Sequence, residues 1–194
     1  MILSILIPTV PQRINFFTEL TNELNDQIIK ENAVNVVEII SDNSPVGEKT
    51  TGQKRNDLIK SAKGEYVWFI DDDDMIMQHA IKHVLNALKQ KPDALAINGI
   101  ITTDGRDMKR WYISKDYEYI SDWTNGYEVF YRPTNHITPT KREIAQSIKY
   151  EDKSNFEDYA YCMELKRLGL IKTEIEIKEL LYHYRYLTYN KLYK

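Results

Sequence analysis

One cysteine, Cys162, stands among 194 residues, so no intramolecular disulfide can form and no pair of thiols has zinc-site spacing. A reducing, cytoplasmic setting is the expectation that follows. Long apolar runs are missing as well. The first, Met1 to Ile7, is cut by Pro8 and has neither a basic leader nor a small-residue cleavage site, so it does not read as a signal peptide. Nothing approaches the ~18 apolar residues of a membrane span, which leaves only a peripheral membrane contact open. Neither sign of charge dominates: 26 Lys+Arg against 29 Asp+Glu give a net charge of −3. That balance gives no support to a general nucleic-acid coat, although it says nothing against a local basic patch. Internal repeats and low-complexity tracts are absent too. What is present is globular: 42% apolar, 11% aromatic and 28% charged residues. A chain of this length suits one domain and buries roughly 70% of its unfolded surface.

Met1 to Ile7 is nearly all apolar and stops at Pro8-Thr9-Val10-Pro11, the pattern of a central buried strand. Phe17, Leu20, Leu24 and Ile28 then recur at helical spacing. Val34 to Ile40 reads as a second strand ending in the turn-forming Ser41-Asp42-Asn43-Ser44-Pro45. Thr50 to Lys63 reads as a helix with Gly64 at its left-handed cap. Tyr66 to Ile70 is a third strand, and Ala80 to Leu88 a helix closed by Pro92. Ala94 to Thr102 is a further strand. Strands alternating with helices at this spacing imply βαβ units, an α/β fold and a mostly parallel central sheet flanked by helices. Residues 104–135 hold many aromatics without a clean period and read as short strands and loops. A last helix from about Phe156 to Leu168, followed by Gly169, precedes a strand through Ile171–Ile177 and an aromatic, basic tail from Tyr182 to Lys194.

The third strand runs directly into Asp71-Asp72-Asp73-Asp74. Two carboxylates about 4 Å apart repel by about 4 kcal/mol at an effective dielectric of ~20, so something should offset the cluster. On an extended backbone Asp71 and Asp73 point one way and Asp72 and Asp74 the other. A hard cation, Mg²⁺ or Mn²⁺, suits such oxygen ligands and completes its shell with water and substrate phosphates. The carboxyl end of a strand in an open parallel sheet is also where ligands bind. The alternative is that the acids solubilise a strand exit, with Asp74 capping a turn before the helix at Ala80.

Ser4-Ile5-Leu6-Ile7-Pro8-Thr9, Ser41-Asp42-Asn43-Ser44, Lys54-Arg55-Asn56 with Ala62-Lys63-Gly64-Glu65-Tyr66, and Phe69-Ile70-Asp71-Asp72-Asp73-Asp74 follow one another in an order that resembles glycosyltransferase family 2. The likeness is close over residues 1 to about 100. Beyond, it rests on Asn135-His136-Ile137-Thr138-Pro139, Phe156-Glu157-Asp158-Tyr159 and the tail. The resemblance implies a single GT-A domain over 1–194, with a nucleotide-sugar half at 1–103 and an acceptor half at 104–194, in a compact bacterial or phage-type member. It implies a nucleoside-diphosphate sugar as donor, a UDP-sugar first among them, and Mn²⁺ or Mg²⁺. Pro8, Thr9 and Val10 would lie along the nucleotide, and Asp42 would accept from the base edge. Arg55 corresponds to a basic position near the donor, although Lys54 and Arg55 also suit the wet face of a helix. Asp73 would be the direct metal ligand, with Asp71 joining it or, like Asp72, lying near the ribose.

Inverting transfer needs a group that takes the acceptor hydroxyl's proton. Glu157-Asp158 resembles the family's acidic pair. Ser154 and Glu157 have capping-box spacing, which would commit Glu157 to the helix and make Asp158 the better base; the alternative is that both acids are there for the helix dipole alone. His183 is either a further metal ligand or a partly buried imidazole donating to a backbone carbonyl. Arg185 suits a phosphate. His136 suggests packing or hydrogen bonding, and Trp111 and Trp123 receive no role. The acceptor is a bacterial glycan or a hydroxymethylated DNA base, the latter suggested by the compact chain and its Lys-, Arg- and Tyr-rich tail. A nucleotidyltransferase would use similar acids but wants a phosphate loop that Pro8 to Arg13 does not supply. A non-catalytic nucleotide-sugar-binding module would keep Asp42 and Asp73 without needing Asp158.

Overall fold

The computed structural model describes residues 1–124 and 126–188; the readings placed on Tyr189, Lys191 and Lys194 fall outside the described residues. Strand β1 (Leu3–Pro8) is buried at every position because it lies between two parallel neighbours, β2 (Val37–Asp42) and β3 (Tyr66–Phe69). Both of its faces are covered, which is why its sequence is an unbroken apolar run. Leu3, Ile5 and Ile7 enter one core with Leu20, Leu24 and Ile28 of α1 (Ile14–Lys30) and Ile81 and Val84 of α3 (Ala80–Leu88). Leu6, Val67 and Phe69 point to the other face, against Leu58 and Ile59 of α2 (Thr51–Ser61) and Tyr161 and Leu165 of α5 (Glu157–Leu168).

Between the two helical layers the strand order is β2-β1-β3-β9-β5-β6-β8-β7. Here β5 is Ala94–Thr103, β6 Arg106–Ile113, β7 Ile120–Thr124, β8 Tyr127–Arg132 and β9 Thr140–Lys141. The short β9, which leads into α4 (Arg142–Ser147), is antiparallel to both β3 and β5. Two further strands, β10 (Glu174–Glu176) and β11 (Tyr182–Tyr186), run parallel to β5. β11 also pairs with β4 (Met75–Ile76). The sheet is mixed, but β1, β2, β3, β5, β10 and β11 share one direction, so their carboxyl ends collect at one edge.

Gly169 caps α5 in the left-handed region at φ 56°, as its position after the helix suggests. Gly64 does not cap α2: the helix ends at Ser61, and Ala62 is already extended. Glycine is needed there for close approach instead, since a Cβ would stand 2.5 Å from the Ser4 amide nitrogen and 2.8 Å from the Leu3 carbonyl carbon. No helix among the described residues is long and apolar enough to cross a membrane.

Candidate active site

At the carboxyl edge, the ends of β1, β3 and β11 and the start of α5 enclose a cleft of about 650 Å³. Pro8, Thr9, Val10, Lys54, Arg55, Asp71, Asp72, Asp73, His136, Glu157 and Asp158 all line it. A larger hollow of about 720 Å³ lies outside α2 and α4, lined by residues such as Lys60, Gln146 and Lys149, and none of the four clustered acids reaches it.

The acids do not continue an extended strand. The Asp74 amide donates to the Asp71 carbonyl at 3.0 Å, closing a turn, so the expected alternation of sides fails. Each carboxylate has its own partners. Asp71 accepts from Arg55 Nη2 at 2.9 Å, and its other oxygen lies 3.3 Å from His136 Nε2. Asp72 accepts from the Thr9 hydroxyl at 2.6 Å and from Arg13 at 2.8 Å. Asp73 lies 3.4 Å from the same Arg13 nitrogen. Asp74 is buried and turns away from the cleft to accept from the Tyr182 hydroxyl at 2.6 Å and the Arg185 amide at 2.7 Å. It caps no turn before α3.

Electrostatics separates the four. Burial works to raise Asp71, but Arg55 and His136 overcome it and hold the carboxyl well below the usual range. Burial raises Asp72 despite Arg13 and Thr9. For Asp73, burial together with the charges of Asp71 and Asp72 outweighs Arg13 and lifts the carboxyl to about 6. Burial, with the charges of Asp71 and Asp73, pushes Asp74 up strongly. Asp73 is thus the cleft-facing acid whose ionisation the protein's own cations support least, the condition an added cation relieves.

A metal ion would have to be held sparingly. Among the described residues no group of three or more His, Cys, Asp or Glu side chains could form a protein-only cage. Each oxygen of Asp71 already has a partner, in Arg55 and in His136, so Asp73 is the more open carboxylate of the two. A single open carboxylate fits a hard divalent ion that takes most of its shell from water and phosphate oxygens. His183 is not among the cleft-lining residues. Its Nε2 sits 2.9 Å from the Thr102 hydroxyl on the neighbouring strand, and it is the next residues of β11, Tyr184, Arg185 and Tyr186, that line the cleft. Burial, then Arg185, lowers the His183 imidazole.

Lys54 and Arg55 are not on a wet face. They are 4% and 3% exposed, and Lys54 donates to the carbonyls of Thr9 at 2.5 Å and Ser44 at 2.6 Å, strapping the β1 and β2 exits together. Burial lowers its ammonium. Arg55 bridges Asp71 to Glu157, whose carboxylate accepts from Nε at 3.3 Å, and lies 5.0 Å from the Phe69 ring centroid. The Asp42 carboxylate is already filled by the Ser44 amide and hydroxyl and by Lys49 at 3.0 Å. It does not line the cleft, although Lys49 does.

The Ser154–Glu157 capping box does not form. Phe156 is the N-cap of α5, left-handed at φ 61°, with no side-chain cap, and the Ser154 hydroxyl accepts from the Thr51 amide at 3.3 Å. The box that does form is Thr50 with Gln53, at the start of α2. Glu157 is occupied by Arg55 rather than by its own helix. Asp158 remains the more open acid, its side chain 41% exposed, with one oxygen 3.8 Å from His136 Nδ1. That nitrogen is buried and has no hydrogen-bond partner.

Arg13, Lys54 and the Asp71–His136 contact were not assigned from sequence. Lys54 and Arg55 carried a usable signal, because they stand four residues before Leu58 and Ile59 and so share the buried side of α2. Arg13 had no such pattern; the Pro11–Arg13 turn alone brings it over the acids. Arg185 donates to the Asp73 carbonyl at 2.6 Å and pairs with Glu19 at 2.9 Å.

The sequence pattern of the family described as Glycosyl transferase family 2 matches residues 18–149. Over 80 residues the chain is 31% identical to a poly(ribitol-phosphate) beta-glucosyltransferase of Bacillus spizizenii, covering 41% of this chain and 12% of that one. Its fold is similar to crystal structures of Staphylococcus aureus TarS 1–349 in complex with UDP-GlcNAc or with UDP. Each has a TM-score of 0.64 at 18% identity over 95% of this chain. The chain spans 58% and 60% of those two structures. The fold is therefore the GT-A fold that the ordered motifs imply.

Proposed function

Because the chain belongs to glycosyl transferase family 2, we propose that it moves a sugar from a nucleoside-diphosphate sugar to an acceptor hydroxyl with inversion. The observation that carries this reading is the single cleft lined both by Asp73, the least supported by cations of the cluster's three cleft-facing acids, and by Asp158, an open acid at the start of α5. TarS binds UDP-GlcNAc and UDP, which favours a UDP-sugar here. Residues 1–103 serve the donor and 104–194 the acceptor. Pro8, Thr9 and Val10 lie along the nucleotide, Lys54 fixes the loops at the ends of β1 and β2, and Asp42, off the cleft lining but bound to the lining Lys49, stands on the side of the base.

Asp73 is the residue that would hold Mn²⁺ or Mg²⁺, which when bound supplies positive charge to the departing diphosphate. Asp158 takes the proton from the acceptor hydroxyl as its oxygen bonds to the anomeric carbon and the bond to the diphosphate breaks. Glu157 is held by Arg55 and takes no proton. His136, placed between Asp71 and Asp158, orients the base. The acceptor hydroxyl belongs to a glycan or to a hydroxymethylated base. The setting is cytoplasmic, in keeping with the buried free thiol of Cys162.

Mass spectrometry of the nucleotide released from a panel of UDP-sugars with Mn²⁺ tests the reading. Transfer or slow hydrolysis gives UDP, nucleotidyl transfer breaks the bond between the two phosphates and gives the sugar 1-phosphate, and a binding module gives neither. Asp158→Asn should lose turnover yet keep donor binding, while Asp73→Ala should lose the metal-dependent part of donor binding. A fully active Asp158→Asn protein would remove the base assignment.

A further inference from the structure

The side of the cleft that holds Asp158 is aromatic, and among the described residues it offers no open cation. Phe156 lines the cleft with 74% of its surface exposed, and its backbone is left-handed at φ 61°, a region that bulky side chains rarely adopt. Exposure of a large ring and backbone strain are both unfavourable, and they coincide two residues from the base. One turn along and just beyond the cleft lining, Tyr159 packs on Tyr119 with ring centroids 5.2 Å apart, both rings staying exposed. Tyr119 is near enough for the Asp158 charge to act on its hydroxyl, although burial contributes more to its raised pKa. Tyr184 and Tyr186 of β11 line the same cleft as Phe156.

Charge then discriminates among acceptors. In the loops and strands from 114 to 132 and from 150 to the end of α5 at 168, the cations are Lys115, Arg132, Lys153, Lys166 and Arg167. Each has its partners: Lys115 has Asp116 at 2.7 Å, Arg132 the carbonyls of Ile120 and Tyr131, Lys153 Glu151, Lys166 Glu118, and Arg167 Glu164 at 2.7 Å. The acids Glu118, Asp122 and Asp158 stand among them. The cleft's Lys49 and Arg185 are likewise held, by Asp42 and Asp57 and by Glu19. A polymer bearing a phosphate on every unit needs open Lys or Arg and is repelled by such a surface. A neutral sugar ring needs the opposite, an apolar face for its C–H surface beside a few polar edges.

We infer that Phe156 and the Tyr119–Tyr159 pair form an acceptor subsite for a neutral, ring-bearing carbohydrate, which the described residues of this side suit better than a polyol-phosphate chain or DNA. This rests on the sugar-transfer reading and deepens it. The poly(ribitol-phosphate) of the Bacillus relative's name is thus not carried over to this chain.

The test uses the full chain with UDP and Mn²⁺ present and four unlabelled probes: cellohexaose, maltohexaose, poly(ribitol phosphate) and hydroxymethylcytosine-containing single-stranded DNA. Binding is read by saturation-transfer NMR and calorimetry at 50 and 300 mM NaCl. Phe156→Gly is the informative variant, because glycine accepts the left-handed backbone while deleting the ring; Tyr159→Ala is the second. The expected result is binding of at least one hexaose that changes less than twofold with salt and weakens at least tenfold in each variant. Thermal stability of Phe156→Gly should be unchanged or higher. Tighter, salt-dependent binding of either phosphate polymer would overturn the inference. So would hexaose binding that both variants leave intact, or no hexaose binding at all. UDP binding and UDP-sugar turnover are measured in parallel: their loss in the unaltered protein speaks against sugar transfer itself, whereas their retention with any of the contrary results speaks only against the subsite.

Discussion

Arg55 offers a direct measure of how the site is held together. Its side chain is 4% exposed, the Glu157 side chain is 6% exposed, and they meet at 3.3 Å while a second guanidinium nitrogen holds Asp71 at 2.9 Å. At an effective dielectric of ~20 the Glu157 contact alone corresponds to about 5 kcal/mol of Coulomb attraction, most of which the desolvation of both groups cancels. Removing one partner is another matter, since the abandoned charge stays buried. Arg55→Met keeps an apolar stem against Phe69 and Tyr150 but strands Glu157, and it should lower stability by about 3–5 kcal/mol. Glu157→Gln leaves Arg55 still neutralised by Asp71 and should cost about 1–3 kcal/mol. In the double variant the stranded Glu157 charge no longer exists, so the loss should fall short of the sum by about 1.5–3 kcal/mol. The rescue should be incomplete, because Asp71 has lost its guanidinium in both Arg55 backgrounds; adding Asp71→Asn should recover part of the remainder. Urea unfolding of the ligand-free proteins at pH 7, with the m-value unchanged across the set, supplies the four free energies. If the two single losses add to within about 0.5 kcal/mol, Arg55 and Glu157 are not energetically coupled, and their ion pair no longer excludes Glu157 as the base.

Three further outcomes follow from other parts of the molecule. Burial works to raise Asp93, but Lys141 and the amides of Lys172 and Thr173 hold it down to about 2 from 3.8. Its contribution is therefore present above pH ~4 and is lost as pH falls through ~2. Asp93→Asn should cost about 2 kcal/mol at pH 6, and a difference from the unaltered protein that stays the same down to pH 2 would contradict the lowered carboxyl. Gly64→Ala forces a Cβ to within 2.5 Å of backbone and should lower stability by about 1–3 kcal/mol, seen as a lower melting temperature; an unchanged one would show that β1 can move aside. Asp73 must lose its proton to bind a cation. Mn²⁺-dependent UDP affinity should therefore fall as pH drops below about 6 and be flat above it, and Asp73→Asn should remove the pH step by calorimetry. A step that persists in the variant belongs to another group.

How far each feature could be read from the sequence depends on how local its cause is. β1 and β3 were legible because burial on both faces demands apolar residues at every position, whatever the partners are. β7 is exposed along its whole length at the sheet's edge, so no alternation marks it, and the two residues of β9 are too few to carry a period. The acidic cluster was visible as a cluster, but its resolution into four different environments was not. Asp71 depends on His136, 65 positions away, and Asp74 on Tyr182, 108 positions away. The same spacing of a hydroxyl and a long polar side chain occurs at Thr50–Gln53 and at Ser154–Glu157, and only the first becomes a capping box. Gln53 has its own helix end and Asp152 within reach, whereas Glu157 meets a buried cation that is worth more to it than a backbone amide. Arg55 thus separates Glu157 from Asp158, and of this arrangement only the place of Arg55 on the buried side of α2, four residues before Ile59, was carried by the local sequence.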